Sequence, residues 1–142
     1  MPSYTGTFAN LIASGPIVET RIIVSTPVEE VLRANNDPLP EPVAVTALID
    51  TGATGTVIQT GIAGRLGLHP VGVTYITTPS STNVECFRYQ VRLLLPNNVV
   101  VETIAIEAPL QGQNIQCLIG RDILAHGVLI YIGYINQFTL SF

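Results

Sequence analysis

Apolar residues in this chain recur in short runs with a period of two, and turn-forming residues separate the runs. In the clearest run, Tyr89, Val91, Leu93 and Leu95 fall on one face, and Gln90 and Arg92 fall on the other. Such alternation is typical of a strand with one buried face. The dense β-branched residues of 17–25 favour a strand as well. The pattern therefore predicts a chain built mainly from short strands.

The same criteria divide the rest of the chain into elements. Strands are predicted over residues 17–25, 43–49, 56–59, 71–77, 84–95, 99–106, 128–132 and 137–142. Short helices are expected at 61–68 and 121–126, and residues 1–15 form an extended arm or a first edge strand. Because 43–49 is almost entirely apolar, we expect that strand to be buried on both faces. The fold class predicted is all-β, with one or two short helices.

Two connections stand out in this scheme. Residues 26–42 contain four prolines and most of the early charge, so we predict a Pro-rich insertion loop with at most one helical turn at 28–33. Residues 77–83 are turn formers between two predicted strands, which indicates a long hairpin with a polar tip.

The composition refines this picture. A length of 142 residues favours a single domain over 1–142. Hydrophobic residues make up 47% of the chain and charged residues 11%, against about 25% charged residues in an average protein. That composition excludes a disordered chain. It also leads us to expect that some apolar surface is buried between subunits.

Charge and cysteine content exclude several classes of protein. The net charge is −4, Lys is absent and the six Arg are scattered, so no nucleic acid partner is expected. Two thiols, Cys86 and Cys117, make no disulfide framework, and we predict that both are buried and reduced. The N-terminus lacks a basic start and the apolar runs are too short to span a bilayer, so we expect a soluble cytoplasmic protein without a membrane partner.

The candidate chemistry lies where the run Ala47–Ile49 ends in Asp50, Thr51 and Gly52. A single carboxylate is a poor hydrolytic catalyst, whereas two held close together share one proton and can act as acid and base on a water molecule. Gly52 has no Cβ and so allows a water or a substrate backbone to approach. If two copies of the chain meet at a twofold axis beside this loop, the Thr51 hydroxyl is able to form a hydrogen bond across that axis.

The second acid of such a pair is missing from the chain itself. Cys117-Leu118-Ile119-Gly120 echoes Ala47-Leu48-Ile49-Asp50, with a glycine where the acid would stand. We therefore expect Asp50 to be half of a pair that a second copy of the chain completes.

These motifs resemble one known family. Asp50-Thr51-Gly52-Ala53, followed by Thr56-Val57-Ile58 and later by 119–124 (Ile-Gly-Arg-Asp-Ile-Leu), looks like the retropepsin-like aspartic proteases. The closing segment 138–142 also resembles the final strand of the retroviral members, and the similarity spans residue 17 to the C-terminus. The resemblance implies a retropepsin-like acid-protease half-barrel that functions as a C2 homodimer on a peptide or protein substrate, with no cofactor.

The resemblance also implies a role for individual residues. Asp50 is the catalytic residue, and Thr51 and Gly52 support the dyad. The residues implied to bind substrate are Gly52, Ala53 and Thr54 of the loop, and Thr77, Thr78, Pro79 and Ser80 of the hairpin tip, which forms the flap. Gly120, Arg121 and Asp122 have a structural role beside the active-site loop.

The chain departs from the retroviral pattern at identifiable places. Thr54 and Gly55 stand where retroviral enzymes have acids, and the flap tip lacks their glycine-rich run. The helix predicted at 61–68 and the longer C-terminal hairpin look more like cellular or bacterial relatives.

Two functions from different classes remain open. The leading one is an aspartic endopeptidase with a dyad formed across a homodimer, and the alternative is a catalytically silent domain that serves peptide binding or protein assembly. An ordinary turn aspartate is the simpler interpretation of Asp50. A zinc site is not expected because His69 and His126 lack ligand spacing, and without Lys the glycine-rich loop does not match a phosphate-binding loop.

Overall fold

The predicted strands occur in the predicted order, together with elements that were not predicted. A computed structural model describes residues 1–78, 80–110 and 114–142. The strands are β1 (Ser3–Thr7), β2 (Ile17–Val24), β3 (Val43–Ile49), β4 (Val57–Gln59), β5 (Gly72–Thr78), β6 (Ser81–Leu95), β7 (Val99–Ala108), β8 (Cys117–Ile119), β9 (Val128–Ile132) and β10 (Gln137–Ser141). The helices are α1 (Leu11–Ser14), α2 (Thr26–Ala34), α3 (Ile62–Arg65) and α4 (Arg121–Leu124). The predicted all-β class is confirmed.

The strands form two sheets. Seven of them are ordered β2-β3-β8-β4-β7-β6-β5, and β2 also pairs with β6, so this sheet folds back on itself around the core. The other sheet has the order β1-β10-β9, and we call it the terminal sheet. Most pairings are antiparallel, but β3 pairs with β8 in parallel and β4 pairs with β7 in parallel.

Alternation along the strands decides which side chains enter the core. In β6 the prediction is confirmed, because Tyr89, Val91, Leu93 and Leu95 are all buried. In β3 the prediction of two buried faces is wrong. Every second residue of β3 is buried, whereas Ala44 is exposed and the other residues of that face are half-buried. Only one face of this strand packs on the core, so its apolar run does not report burial on both sides.

The terminal sheet is anchored to the core by Phe138, which is fully buried. Its ring stacks on Phe8 with centroids 5.7 Å apart and meets Tyr4 in a tilted arrangement at 5.9 Å. A Cβ on Gly6 would lie 2.7 Å from the Phe138 ring, so only glycine fits opposite it in β1. Residues 1–15 thus include the predicted edge strand, which pairs with β10 of the same chain.

Two helices differ from the predictions. We expected a loop over 26–42 with at most one helical turn, but α2 is a nine-residue helix. Its Pro27 lies in the first turn, where the missing N–H removes no helical hydrogen bond. Helix α1 has only four residues, too few to show a period; Asn10 caps it by accepting from the Ala13 N–H at 3.2 Å.

The remaining local predictions can be compared directly. Cys86 and Cys117 are free and buried, as predicted. Strands β5 and β6 form the predicted long hairpin. Because β6 already begins at Ser81, the connection is shorter than the 77–83 tip that we expected. None of the helices in the described ranges is long and apolar enough to cross a membrane.

Phe138 gives a test of how the terminal sheet is attached. Replacing it in Phe138→Ala should lower the free energy of unfolding by about 3–5 kcal/mol, because a fully buried ring and both of its aromatic contacts are lost. Urea unfolding measures this change. The matched control is Tyr75→Ala in β5, a tyrosine that is 62% exposed and whose loss should change the free energy by no more than about 0.5 kcal/mol. Equal losses in the two variants would contradict this packing.

Candidate active site

Asp50 lies at the end of β3, where this strand runs parallel to β8. The register pairs Ala47 with Cys117 and Ile49 with Ile119, so Asp50 and Gly120 follow at equivalent positions. The Asp50 N–H donates to the Ile119 carbonyl at 2.9 Å and continues the ladder by one residue. The echo between the two segments in the sequence is therefore a structural equivalence, with one acid and one glycine.

Gly120 is in close contact with the strand that leaves the loop. A Cβ built on Gly120 would lie 2.5 Å from the carbonyl carbon of Gly55 and 2.9 Å from the nitrogen of Thr56. Since these neighbours are backbone atoms, they cannot move aside as a flexible side chain can. A side chain, acidic or not, does not fit at Gly120 without displacing the loop.

The loop from Asp50 to Thr54 has its own hydrogen bonds. The Gly52 N–H donates to Asp50 Oδ1 at 2.9 Å, and the Ala53 N–H donates to the Asp50 carbonyl at 3.1 Å. Thr51, Gly52 and Thr54 are exposed, and Asp50 is half-buried. One carboxylate oxygen is thus oriented by the backbone at a surface that other molecules can reach.

Arg121 holds this loop from the side of α4. Its backbone N–H donates to the Ala53 carbonyl at 2.9 Å, and Nη1 of its side chain donates to the Thr51 carbonyl at 2.7 Å. Its Nη2 donates to the Thr54 hydroxyl at 3.2 Å. The guanidinium therefore bonds to uncharged oxygens of the loop.

Asp122 lies below the loop and binds two threonine hydroxyls. Thr56 donates to Oδ1 at 2.8 Å and Thr103 donates to Oδ2 at 2.6 Å. Thr56 is fully buried, and its oxygen also accepts from the Gly120 N–H at 3.2 Å. The carboxylate of Asp122 thereby connects the end of the loop, β7 and the start of α4.

The negative charge of Asp122 affects the pKa of a buried thiol in the core. Burial first, and then the negative charge of Asp122, raise the pKa of the Cys117 thiol to about 12. Cys117 is therefore protonated and unreactive at neutral pH. It fills space beneath the loop and supplies no nucleophile.

The residues predicted for the site fall into two groups. The structure brings together the loop from Asp50 to Thr54 and the segment Gly120–Asp122, through the hydrogen bonds above. The residues expected in the flap belong to a separate hairpin: Thr77 is exposed in β5, Thr78 ends that strand, and Ser80 is exposed next to β6. Pro79, which we expected to bind substrate, lies outside the described residues.

Sequence reasoning missed two residues of this region. Thr56 was noted only as part of the motif, and Thr103 was not singled out at all. Thr103 is one of several polar residues in β7, and nothing local indicates that its hydroxyl faces a carboxylate. The described parts of the chain contain no group of three or more His, Cys, Asp or Glu arranged to hold a metal ion.

The role of Asp122 can be tested through stability. In Asp122→Ala the hydroxyls of Thr56 and Thr103 lose their acceptor, and Thr56 is fully buried. The free energy of unfolding should therefore fall by roughly 2–4 kcal/mol. Asp122→Asn keeps one acceptor oxygen and offers an N–H that a hydroxyl can accept, so a clearly smaller loss is expected. Urea unfolding measures the free energy of unfolding of both variants. The interpretation is wrong if alanine is tolerated as well as asparagine.

Three comparisons with known proteins bear on this geometry. The family model described as Aspartyl protease matches residues 34–123, which is more than half of the chain and includes both the loop and Gly120–Asp122. A search of curated proteins finds no match.

Solved structures resemble this chain at low sequence identity. A retropepsin-like aspartic protease from Rickettsia conorii is 14% identical, with a TM-score of 0.52 over 100% of this chain and 95% of that one. The retroviral protease-like domain of Ddi1 from Leishmania major is 16% identical, with a TM-score of 0.43 over 80% and 79%. The likeness to the rickettsial structure extends to the whole chain and supports the same fold. The chain therefore belongs to the aspartyl protease family and has the retropepsin-like fold.

Proposed function

We propose that this protein is an aspartic endopeptidase whose catalytic pair consists of Asp50 from each of two identical chains. The observation that carries the proposal is the register of β3 and β8, which sets Asp50 and Gly120 at equivalent positions. Two such turns in one chain would make a complete site, but this chain supplies one acid. A twofold axis next to the loop is the simplest way to provide the other.

The chemistry needs no group beyond the two carboxylates. When they are close together they share one proton, because both cannot be ionised at short range. The ionised carboxylate removes a proton from a water molecule while the water oxygen attacks the peptide carbonyl carbon. The protonated carboxylate gives its proton to the carbonyl oxygen. The resulting tetrahedral diol then collapses with cleavage of the C–N bond, and the leaving nitrogen takes up a proton.

The residues around Asp50 have consistent roles in this mechanism. The Gly52 N–H orients Oδ1, and the exposed backbone at Gly52 leaves room for a substrate main chain. The hairpin of β5 and β6 is the flap that covers a bound peptide and excludes water from it. Substrate contacts are assigned to Gly52, Ala53 and Thr54 in the loop and to 77–80 in the flap.

The distribution of charge supports assembly through the terminal sheet. Residues 1–18 and 123–142 contain no Asp, Glu, Lys or Arg, although the chain as a whole has a net charge of −4. This charge-free part also carries large exposed apolar side chains: Met1, Ile12, Val128, Ile130, Tyr131, Tyr134 and Ile135. Strand β9 is an edge of the sheet, and it has none of the charges that usually protect an edge strand from pairing.

A competing proposal, supported by Thr54 and Gly55 where retroviral relatives have acids, is a silent domain that binds peptides or assists assembly. Such a domain would bind peptide without hydrolysis and would not depend on the Asp50 carboxylate. The two proposals differ in their response to a single isosteric substitution.

Asp50→Asn should abolish peptide hydrolysis, with a loss of at least about 100-fold, because the amide can neither accept nor deliver the catalytic proton. Cleavage of fluorogenic peptides at mildly acidic pH measures the loss, and sedimentation and circular dichroism should show an unchanged dimer and fold. The matched control is Asp37→Asn, at an exposed acid after α2, which should keep full activity. If Asp50→Asn cleaves as fast as its parent, the dyad is refuted.

The assembly surface has its own test. Ile130→Glu places a charge on β9 at a side chain that is 49% exposed, and it should convert the dimer to monomer and reduce activity with it. Val100→Glu makes the same change in β7 at 51% exposure and should leave the dimer intact. Sedimentation at about ten micromolar compares the two. A parent protein that stays monomeric even with peptide present contradicts the proposal.

A further inference from the structure

The cation at the rim of the loop has no acidic partner. Ion pairs in the described residues join Glu29 to Arg33 and to Arg92, and none involves Arg121. Arg121 is exposed, and within the described residues its guanidinium donates to the carbonyl of Thr51 and to the hydroxyl of Thr54. A guanidinium has five N–H groups, so three remain available next to the residues that flank Asp50.

The neighbouring acids are already engaged. Both oxygens of Asp122 accept from threonine hydroxyls, and Oδ1 of Asp50 accepts from the Gly52 N–H. Neither lies within ion-pair distance of the guanidinium in the described structure. Among the residues that the structure describes, no acid neutralises the positive charge of Arg121 through an ion pair.

Thr54 adds a donor beside this charge. Its oxygen accepts from Arg121 Nη2, so its own hydroxyl proton stays free to donate to an incoming group. A carboxylate at this position would have accepted from Arg121 and cancelled its charge. With threonine, this part of the rim offers donors to an incoming group: the remaining N–H groups of Arg121 and the hydroxyl of Thr54.

A second copy of the chain offers no acid to this site from its terminal sheet. Residues 1–18 and 123–142 contain no Asp or Glu, and this is the surface through which the proposed dimer assembles. In the proposed dimer the second copy does bring its own Asp50 next to this loop, but that carboxylate shares the proton of the catalytic pair. The complementary group for Arg121 is then expected from the bound peptide. When the flap covers a peptide and removes water, a carboxylate is the group that compensates a guanidinium most strongly.

We infer that Arg121 and Thr54 form a subsite that selects an acidic side chain, Asp or Glu, at one position of the substrate peptide. This inference rests on the proposed function for the position of the cleft and adds the substrate class. Arg121 is here a specificity-determining residue, since its charge acts on the bound peptide and not on the reacting atoms. An apolar or amide side chain at the same position leaves the guanidinium uncompensated.

The experiment uses peptides that differ only by Glu or Gln at one position, scanned along both sides of the scissile bond. Their ends are acetylated and amidated, so that no terminal carboxylate can occupy the subsite, and the assay runs near pH 6, where Glu is ionised. The parent protein should cleave the Glu peptide roughly tenfold more efficiently, by kcat/KM, at one position. This ratio should fall as salt is added.

The variants isolate the two donors. In Arg121→Gln the Glu-to-Gln ratio should approach one, and in Arg121→Lys part of the preference should remain because the charge is kept without the planar fork. Thr54→Val should reduce the ratio by a smaller factor. Since each ratio is taken within one protein, a loss of stability or of dimer in a variant cancels from it.

Failure of the inference differs from failure of the proposed function. If the parent shows no Glu preference at any position, or if Arg121→Gln keeps that preference, the subsite is refuted even though peptides are cleaved. If nothing is cleaved, binding of labelled Glu and Gln peptides is compared by fluorescence polarisation between the parent and Arg121→Gln. A Glu preference that depends on Arg121 then supports the subsite without the protease, and equal or absent binding refutes both.

Discussion

The parallel contact between β3 and β8 is the constraint on which the rest of this site depends. It brings the ends of two strands side by side and forces the backbone at Gly120 against the backbone of Gly55 and Thr56. A glycine is required there for steric reasons, so the equivalent of Asp50 cannot be an acid in the same chain without displacing the loop. The same contact that orients the loop therefore also leaves each chain with a single acid at these two equivalent positions.

Support for that contact comes from residues distant in sequence. Asp122 gathers the hydroxyls of Thr56 and Thr103, while Arg121 binds two oxygens of the loop. These bonds connect α4, β7 and the loop, so the conformation around Asp50 is determined by three elements at once. A loop held in this way is fixed before anything binds to it, which is the condition that the proposed mechanism sets for its acid and base groups.

Several features were predictable because they depend on local pattern. The period of two in β6 identified its buried face, and the apolar run ending in Asp50 predicted the strand that leads into the candidate loop. Other features depend on what lies opposite in space. The apolar run of β3 did not reveal that only one face packs on the core, and a proline in the first turn of α2 looked like a loop former. Asp122 accepts a hydrogen bond from Thr103, which lies 19 residues away in the sequence, so no local pattern predicts this contact.

The loop combines two opposite requirements of charge. The proposed chemistry needs two acids to meet and to share a proton, so a further carboxylate close to Asp50 would compete for that proton and weaken the division of roles. Substrate recognition next to it instead benefits from a charge that is left unpaired. Thr54 meets both requirements, because a hydroxyl fixes the position of Arg121 through a hydrogen bond but adds no negative charge. The departure from the retroviral pattern at this residue is therefore compatible with the proposed catalysis. In the subsite that we infer next to it, a hydrogen-bond donor replaces an acceptor.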